Sequence, residues 1–309
     1  MIATVTLNPA LDKTIYVERL VVGDTNRIER IETDAGGKGV NAARVLKELG
    51  ADVLALGFLG GKAGRFIRHV LEEEGIPSDF VHVQGETRTN LAVEEASGTP
   101  PTTLNERGPT MDAQELERMI AKVTHAAAKC EMVLLGGSLP PGAPTDIYRT
   151  LGEGIAKAGA KVVLDADGPP MVEGLRARPF MIKPNLDEAQ RLLDRNIGTQ
   201  DEAAAAAREL ASRAEIAIIS MGKQGAMAAT GDEVWKGIPP EVRVVSTIGS
   251  GDSMLAGMMF RLCEGGDLSE ALALGCAAGA ATAMTNGVEV GHRSDILRLA
   301  DSVRVERLT

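Results

Sequence analysis

Short, nearly unbroken apolar runs recur along this chain with room for a helix between most of them, and that rhythm limits the fold more than any other feature. Val53-Leu54-Ala55-Leu56-Gly57-Phe58, Met132-Val133-Leu134-Leu135, Lys161-Val162-Val163-Leu164, Phe180-Met181-Ile182 and Ile216-Ala217-Ile218-Ile219 lack the apolar-polar alternation of a half-exposed strand. They suit strands buried on both faces. Between them, residues 63–74, 112–129 and 201–214 carry helical spacing. A mostly parallel sheet with helices on both sides is the architecture such alternation builds. Two segments, 13–33 and 85–107, break the pattern, being polar, β-branched and rich in turns. They read as strands outside the main sheet, forming a lid over the carboxyl ends of its strands, where ligands of open α/β sheets bind.

The 309 residues could make one large α/β domain or two smaller ones, and no linker, repeat or low-complexity tract divides them. With 33 basic and 43 acidic side chains the net charge is −10. That argues against nucleic-acid or anionic-membrane partners, and it obliges any anionic substrate to find a local basic cluster. Three cysteines, Cys130, Cys263 and Cys276, and four scattered histidines show no metal-ligand spacing. The odd cysteine count suits a reducing compartment. The apolar tract 271–284 is shorter than the ~18 residues that suggest a membrane span. The chain opens on a strand-like run without a basic leader, so a cytoplasmic location is expected.

The chemistry concentrates where strand-like runs give way to glycine. In Thr247-Ile248-Gly249-Ser250-Gly251-Asp252-Ser253 the glycines follow the apolar run 242–245, read as a strand, and precede Leu255, Met258, Met259 and Leu262 at helical spacing. A glycine-rich helix start gathers backbone N–H groups at the positive end of the helix dipole, which suits phosphate. Asp252 in the first turn could take a proton from an attacking hydroxyl, or it could be an ordinary N-terminal helix carboxylate. Asp34-Ala35-Gly36-Gly37-Lys38-Gly39-Val40-Asn41 opens a second helix, as an anion site or as a turn with a solvated lysine. It is neither a Walker A loop nor a dinucleotide fingerprint. In Thr87-Arg88-Thr89-Asn90, strand periodicity points Arg88 and Asn90 the same way, onto a ligand or into solvent. Gly136-Gly137-Ser138-Leu139-Pro140-Pro141-Gly142 exposes Ser138 at the sheet edge or is a plain turn. Asn185 and Glu188, three apart in Lys183-Pro184-Asn185-Leu186-Asp187-Glu188, could offer oxygens to Mg²⁺ or simply cap a helix. Ser220-Met221-Gly222-Lys223-Gln224-Gly225 would let backbone pass close to a nucleotide.

In this order the motifs, together with Asn8-Pro9 and Asp12, resemble the ribokinase-like (PfkB) sugar kinases from the first strand to the last helices. Within that family the chain is most similar to the hexose-phosphate branch of 1-phosphofructokinase, tagatose-6-phosphate kinase and the minor 6-phosphofructokinase. The Gly-Lys-Gly-x-Asn form and the C-terminal Val-Arg-Val-Glu-Arg-Leu resemble 1-phosphofructokinase. The resemblance implies a three-layer α/β/α, Rossmann-like, mostly parallel sheet with a small β-sheet lid. Residues 1–309 would be one kinase domain, often paired through the lid in a homodimer.

It also implies roles. Asp252 would be the general base, and Gly249, Ser250 and Gly251 the anion hole for the transferring phosphoryl. Asp12, Gly37, Asn41, Asn90 and Ser138 would bind substrate, with Lys38, Arg88 and Arg27 holding its existing phosphate. Lys183, Asn185, Ser220, Gly222, Gly225 and Thr247 would line the ATP site, with Asn185 and Glu188 steering Mg²⁺ through water. Ser246 stands where many relatives carry an Asp that helps bind a monovalent cation, which leaves K⁺ activation open. Asp165-Ala166-Asp167-Gly168 and Met221 depart from the commoner forms. The implied reaction is ATP-dependent phosphorylation of a ketohexose phosphate, fructose 1-phosphate to fructose 1,6-bisphosphate. Tagatose 6-phosphate and fructose 6-phosphate are the alternatives within the branch, and a non-catalytic sugar-phosphate or nucleotide sensor is the alternative of another class.

Overall fold

The computed structural model describes residues 1–97, 101–287 and 289–308, so residues 98–100 of the second irregular segment lie outside it. In chain order the elements are β1 (Ile2–Thr6), β2 (Ala10–Val17), β3 (Arg30–Gly36), α1 (Lys38–Leu49), β4 (Val53–Leu59), α2 (Gly61–Glu73), β5 (Val81–His82), β6 (Arg88–Glu95) and β7 (Thr102–Asn105). There follow α3 (Ala113–Ala127), β8 (Met132–Gly136), α4 (Ile147–Lys157), β9 (Lys161–Asp165), α5 (Gly168–Gly174), β10 (Met181–Ile182), α6 (Leu186–Leu193) and α7 (Gln200–Leu210). The chain closes with β11 (Ile216–Ser220), β12 (Ala226–Ala229), β13 (Val234–Ile238), α8 (Ser250–Cys263), α9 (Leu268–Ala283), α10 (Arg293–Ala300) and β14 (Arg304–Arg307).

Ten strands form one sheet in the order β14-β13-β12-β11-β10-β9-β8-β1-β4-β5. It is parallel from β11 to β5, and β12, β13 and β14 pair antiparallel at the other edge. Period 2 divides each buried strand between two cores. Val133 and Leu135 of β8, with Val162 and Leu164 of β9, meet α3, α4 and α7 on one face. Met132, Leu134 and Val163 meet α1, α2, α8, α9 and α10 on the other. Both faces are dry, which is why these runs carry no alternation. Among the described residues no helix is long and apolar enough to cross a membrane.

A second sheet of four strands, in the order β3-β2-β6-β7, lies outside the first. Its strands overlap the segments 13–33 and 85–107, yet β2 begins at Ala10 and β3 runs on to Gly36. Asp12 and the first half of the glycine cluster therefore belong to strands. Register pairs Asp12 with Asn90 on one side and with Asp34 on the other.

One expectation fails. The run 242–245 forms no strand; Val244 and Val245 are largely exposed, and the Val245 and Ser246 amides donate to the Ala283 carbonyl at the end of α9 (2.8 and 3.3 Å). The extended chain hangs from a helix end instead, and the strand that extends the sheet beyond β13 is β14. β-branched residues fit extended backbone with or without a partner strand.

The start of α8 is set by its packing on α9. A Cβ on Gly279 would lie 3.0 Å from the Ser250 carbonyl, and one on Gly275 would lie 2.8 Å from that of Met254. Small residues bring the two backbones together and fix where the first turn of α8 points.

Candidate active site

Strand order reverses between β1 and β8, whose chains leave toward opposite edges of the sheet. The crevice beyond their carboxyl ends is where an open α/β sheet places a ligand. The expected residues converge there from several elements.

From one side comes the first turn of α8. Gly249 adopts the left-handed conformation (φ 75°) as its N-cap, and no side chain caps the helix. Among the described residues the Gly251 and Asp252 amides find no partner and are open to an anion, while the Ser250 amide donates to the Thr247 carbonyl. The buried hydroxyl of Ser250 has no hydrogen-bond partner among the described residues. Asp252, in the same turn, accepts a hydrogen bond from Asn41 Nδ2 of α1 (2.8 Å). Burial raises its carboxyl from 3.8 to about 6; Asp165 adds to the rise, while Lys38, the Asn41 bond and Lys183 oppose it. Such a carboxylate is ionised at neutral pH and ready to accept a proton.

From the other side, Lys38 and Lys183 converge on Asp165, the last residue of β9. Lys38 Nζ lies 2.7 Å from Asp165 Oδ1 and Lys183 Nζ 3.2 Å from Oδ2. Burial works against the Lys38 ammonium, yet Asp165, Asp252 and Glu188 hold it above its ordinary value. Burial likewise opposes the Asp165 charge, and the two lysines overcome it, keeping that carboxyl below its usual range. Lys183 Nζ also packs on the anion hole, 3.3 Å from where a Cβ on Gly251 would be.

The small sheet supplies the opposite end. Asn90 Nδ2 donates to Asp12 Oδ1 (2.8 Å), and Asp12 lies flat over Gly36, where a Cβ would fall 1.9 Å from Oδ2. Burial raises the Asp12 carboxyl to about 6 against the pull of Asn90 and Arg88. Arg88 donates to the carbonyls of Asn8 (3.1 Å) and Glu106 (3.2 Å). Its strand is anchored on the start of α2, where Thr87 Oγ1 accepts from the Gly60 amide and Glu86 from the Ala63 amide. Gly37, at φ 120°, opens α1 so close to β1 that a Cβ would lie 2.8 Å from Thr6 Cγ2. Ser138 is exposed at the end of β8, 3.4 Å from Asn8 Nδ2.

Two assignments look different in three dimensions. Lys38 and Arg88, expected to share the substrate's phosphate, keep separate company: Lys38 stands with Asp165 near Asp252, and Arg88 with Asp12 at the small sheet. Arg27 is exposed on the connection between β2 and β3, with no hydrogen bond or ion pair among the described residues.

Asn185 and Glu188 form a reciprocal capping box, each side chain bonded to the other's backbone amide at 2.8 Å. That explains the pair without a metal, and the Glu188 charge also acts on Lys38. Hard, partly exposed oxygens fit Mg²⁺ that keeps several waters and leans on substrate phosphates. Among the described residues no cluster of three or more acidic, His or Cys side chains offers a cage. Among the residues expected to line an ATP site, Ser220 bridges to Asn185, Gly222 and Gly225 have positive φ, and the Thr247 carbonyl accepts from the Ser250 amide (3.4 Å). Ser246 Oγ donates to the Gly287 carbonyl (3.0 Å) and accepts from the Ile248 amide (3.3 Å), tying two loops with its own hydroxyl.

Two residues here escaped the sequence reading as site members. Asn8, at the end of β1, donates to the carbonyls of Arg107 and Leu139, joining the small sheet to the Ser138 loop. In the sequence Asp165 stands out only as the start of a motif that departs from the commoner form, although it ends a buried parallel strand, a position that faces the ligand crevice.

Residues 5–292 match the pfkB family carbohydrate kinases. The chain is 33% identical to the 1-phosphofructokinase of Bacillus subtilis over the whole of both chains. It is 37% identical to that of Haloferax volcanii, over 99% of this chain and 98% of the other. Phosphofructokinase-2 of Escherichia coli, solved in complex with substrates and products, superposes with a TM-score of 0.93 at 27% identity, covering 97% of this chain and 98% of that one. Arabidopsis thaliana ribokinase, at 23% identity and TM-score 0.79 over 97% and 98% of the chains, shares the fold.

Proposed function

The chain belongs to the pfkB family of carbohydrate kinases, and from that premise we propose that it transfers the γ-phosphoryl of ATP to fructose 1-phosphate, giving fructose 1,6-bisphosphate. The observation that carries the reading is Asp252, held by Asn41 beside an uncapped, glycine-led helix start. Phosphoryl transfer leaves a protein mainly positioning and electrostatics to supply. The substrate hydroxyl gives its proton to Asp252 as its oxygen attacks the γ-phosphorus, and the bond from that phosphorus to the bridging oxygen breaks to release ADP. The Gly249 to Gly251 backbone and Lys183 receive the charge of the transferring group. Lys38, beside Asp252, neutralises the same group from the acceptor side. Arg88, with Asn90, Asp12, Gly37 and Ser138 around it, holds the sugar phosphate; Arg27 joins them only if the β2–β3 connection folds over the crevice.

Lys183, Asn185, Ser220, Gly222, Gly225 and Thr247 line the ATP side. Mg²⁺, when bound at Glu188 and Asn185, offsets the negative charge of the phosphates. Residues 1–309 act as one unit, in the cytoplasm where ATP and sugar phosphates are held.

A coupled ADP-release assay with Mg-ATP tests this against fructose 1-phosphate, fructose 6-phosphate, tagatose 6-phosphate and fructose. The highest kcat/KM is expected for fructose 1-phosphate. Preference for another phosphorylated ketohexose would move the substrate and keep the mechanism; ATP binding with no turnover would favour a sensor.

We also propose a homodimer through the small sheet. Val22, Ile28, Ile31 and Leu104 expose apolar surface on it or its connections, Val22 at 93%. Light scattering is expected to give twice the chain's mass, and a monomer at assay concentration would overturn this assembly.

A further inference from the structure

We propose that Asp165 is a positioning residue that ties the acceptor half of the site to the donor half by holding Lys38 and Lys183 with one carboxylate. The inference rests on the kinase reading above and deepens it. Asp165 itself is 1% exposed, too buried to meet either substrate. Each of its oxygens goes to a different lysine, Oδ1 to Lys38 and Oδ2 to Lys183. Those lysines arrive from opposite halves of the site. Lys38 opens α1, directly after the strand that carries Gly36, and Lys183 follows β10, two residues before the cap of α6.

A buried carboxylate needs only one ammonium to be compensated. The second balances the buried Asp252 carboxylate, so Asp165 joins two ammoniums and two carboxylates into one cluster beside the open amides of α8, and an arriving phosphate pulls on both lysines at once. Because the carboxylate is shared, shifting either lysine draws Asp165 and with it the other lysine, so the geometry seen by one substrate depends on the group that meets the other. Asp252 feels the whole cluster: Lys38 and Asn41 face it from α1, Asp165 from β9 and Lys183 from beyond β10, with Glu188 of α6 acting on Lys38.

The test is steady-state kinetics across pH on the wild type, Asp165→Asn, Lys183→Met and the double variant, with Mg-ATP and the sugar phosphate the wild type turns over best. A wild type that turns over no sugar phosphate would count against the kinase reading alone. Losing the charge-assisted hydrogen bond from Lys38 and the ion pair with Lys183, Asp165→Asn is expected to raise the KM of both substrates by roughly tenfold or more. It should also move the acid limb of kcat/KM to lower pH, because the Asp165 charge helps hold the Asp252 carboxyl up. Lys183→Met is expected to raise the KM of the sugar phosphate as well as that of ATP, and the double variant to be no worse toward the sugar phosphate than Asp165→Asn. If Asp165→Asn does not fold, Lys183→Met decides alone. A Lys183→Met enzyme with wild-type KM for the sugar phosphate, or an Asp165→Asn enzyme with a lower melting temperature but both KM values and the acid limb unmoved, would overturn the assignment.

Discussion

Asp252→Asn lowers turnover by about 10²–10⁴-fold, the usual worth of a general base, while ATP still binds. The amide keeps the size of the carboxylate and can still accept the Asn41 bond, so the first turn of α8 stays in place. What disappears is the group proposed to take the hydroxyl's proton. Near-wild-type kcat in this variant would refute the base assignment. In the wild type kcat/KM is expected to fall as pH drops through about 6, where the buried Asp252 and Asp12 carboxyls, both raised to about 6, take up protons.

The same shift bears on stability. A carboxyl whose value is higher folded than unfolded makes the ionised form a cost to the fold, present above about pH 6 and gone once both states are protonated. Asp252→Asn is therefore expected to melt at a higher temperature than the wild type at pH 8, with the gain shrinking as the pH is lowered toward 4. Equal melting temperatures at pH 8 would show that the charge is fully compensated by Lys38 and Lys183. This is the trade between stability and activity that buried catalytic charges impose.

Arg88→Ala raises the KM for the sugar phosphate by roughly ten- to a hundredfold, the loss expected for about 1.5–3 kcal/mol of charge-assisted hydrogen bonding. Its neighbours are Asp12 and Glu106 at the small sheet and Asn8 just after β1, all on the acceptor side proposed above, so the KM for ATP should move little. Lys38→Ala, by contrast, removes an ammonium beside Asp252 and Asp165 and is expected to act chiefly on kcat. Initial-rate kinetics with each substrate varied in turn separates the two. If both variants changed only the sugar phosphate KM, the two cations would share one phosphate after all, as the sequence motifs alone suggest.

The contrast between these cations marks where sequence reading stops. Lys38 sits in a glycine cluster and Arg88 in a polar strand, and nothing along the chain says that one meets Asp165 and the other Asp12. Those partners are 127 and 76 residues away in sequence, brought close by β9 and by the parallel pairing of β2 with β6. The capping box at Asn185 and Glu188 was legible because both groups lie within one helical turn. The failure at 242–245 is of the same origin: β-branched residues declare extended backbone, and whether a partner strand is free is decided at the far edge of the sheet.

By itself, then, the sequence determined what depends on local spacing: uninterrupted apolar runs that must be buried on both faces, glycines at helix starts, and an aspartate in the first turn of α8. Tertiary structure alone decided which charges neutralise one another. Asp165 is the clearest case, an ordinary strand-end carboxylate in sequence that becomes the shared anchor of two lysines, because Coulomb energy in a dry interior depends on distance through space and not along the chain.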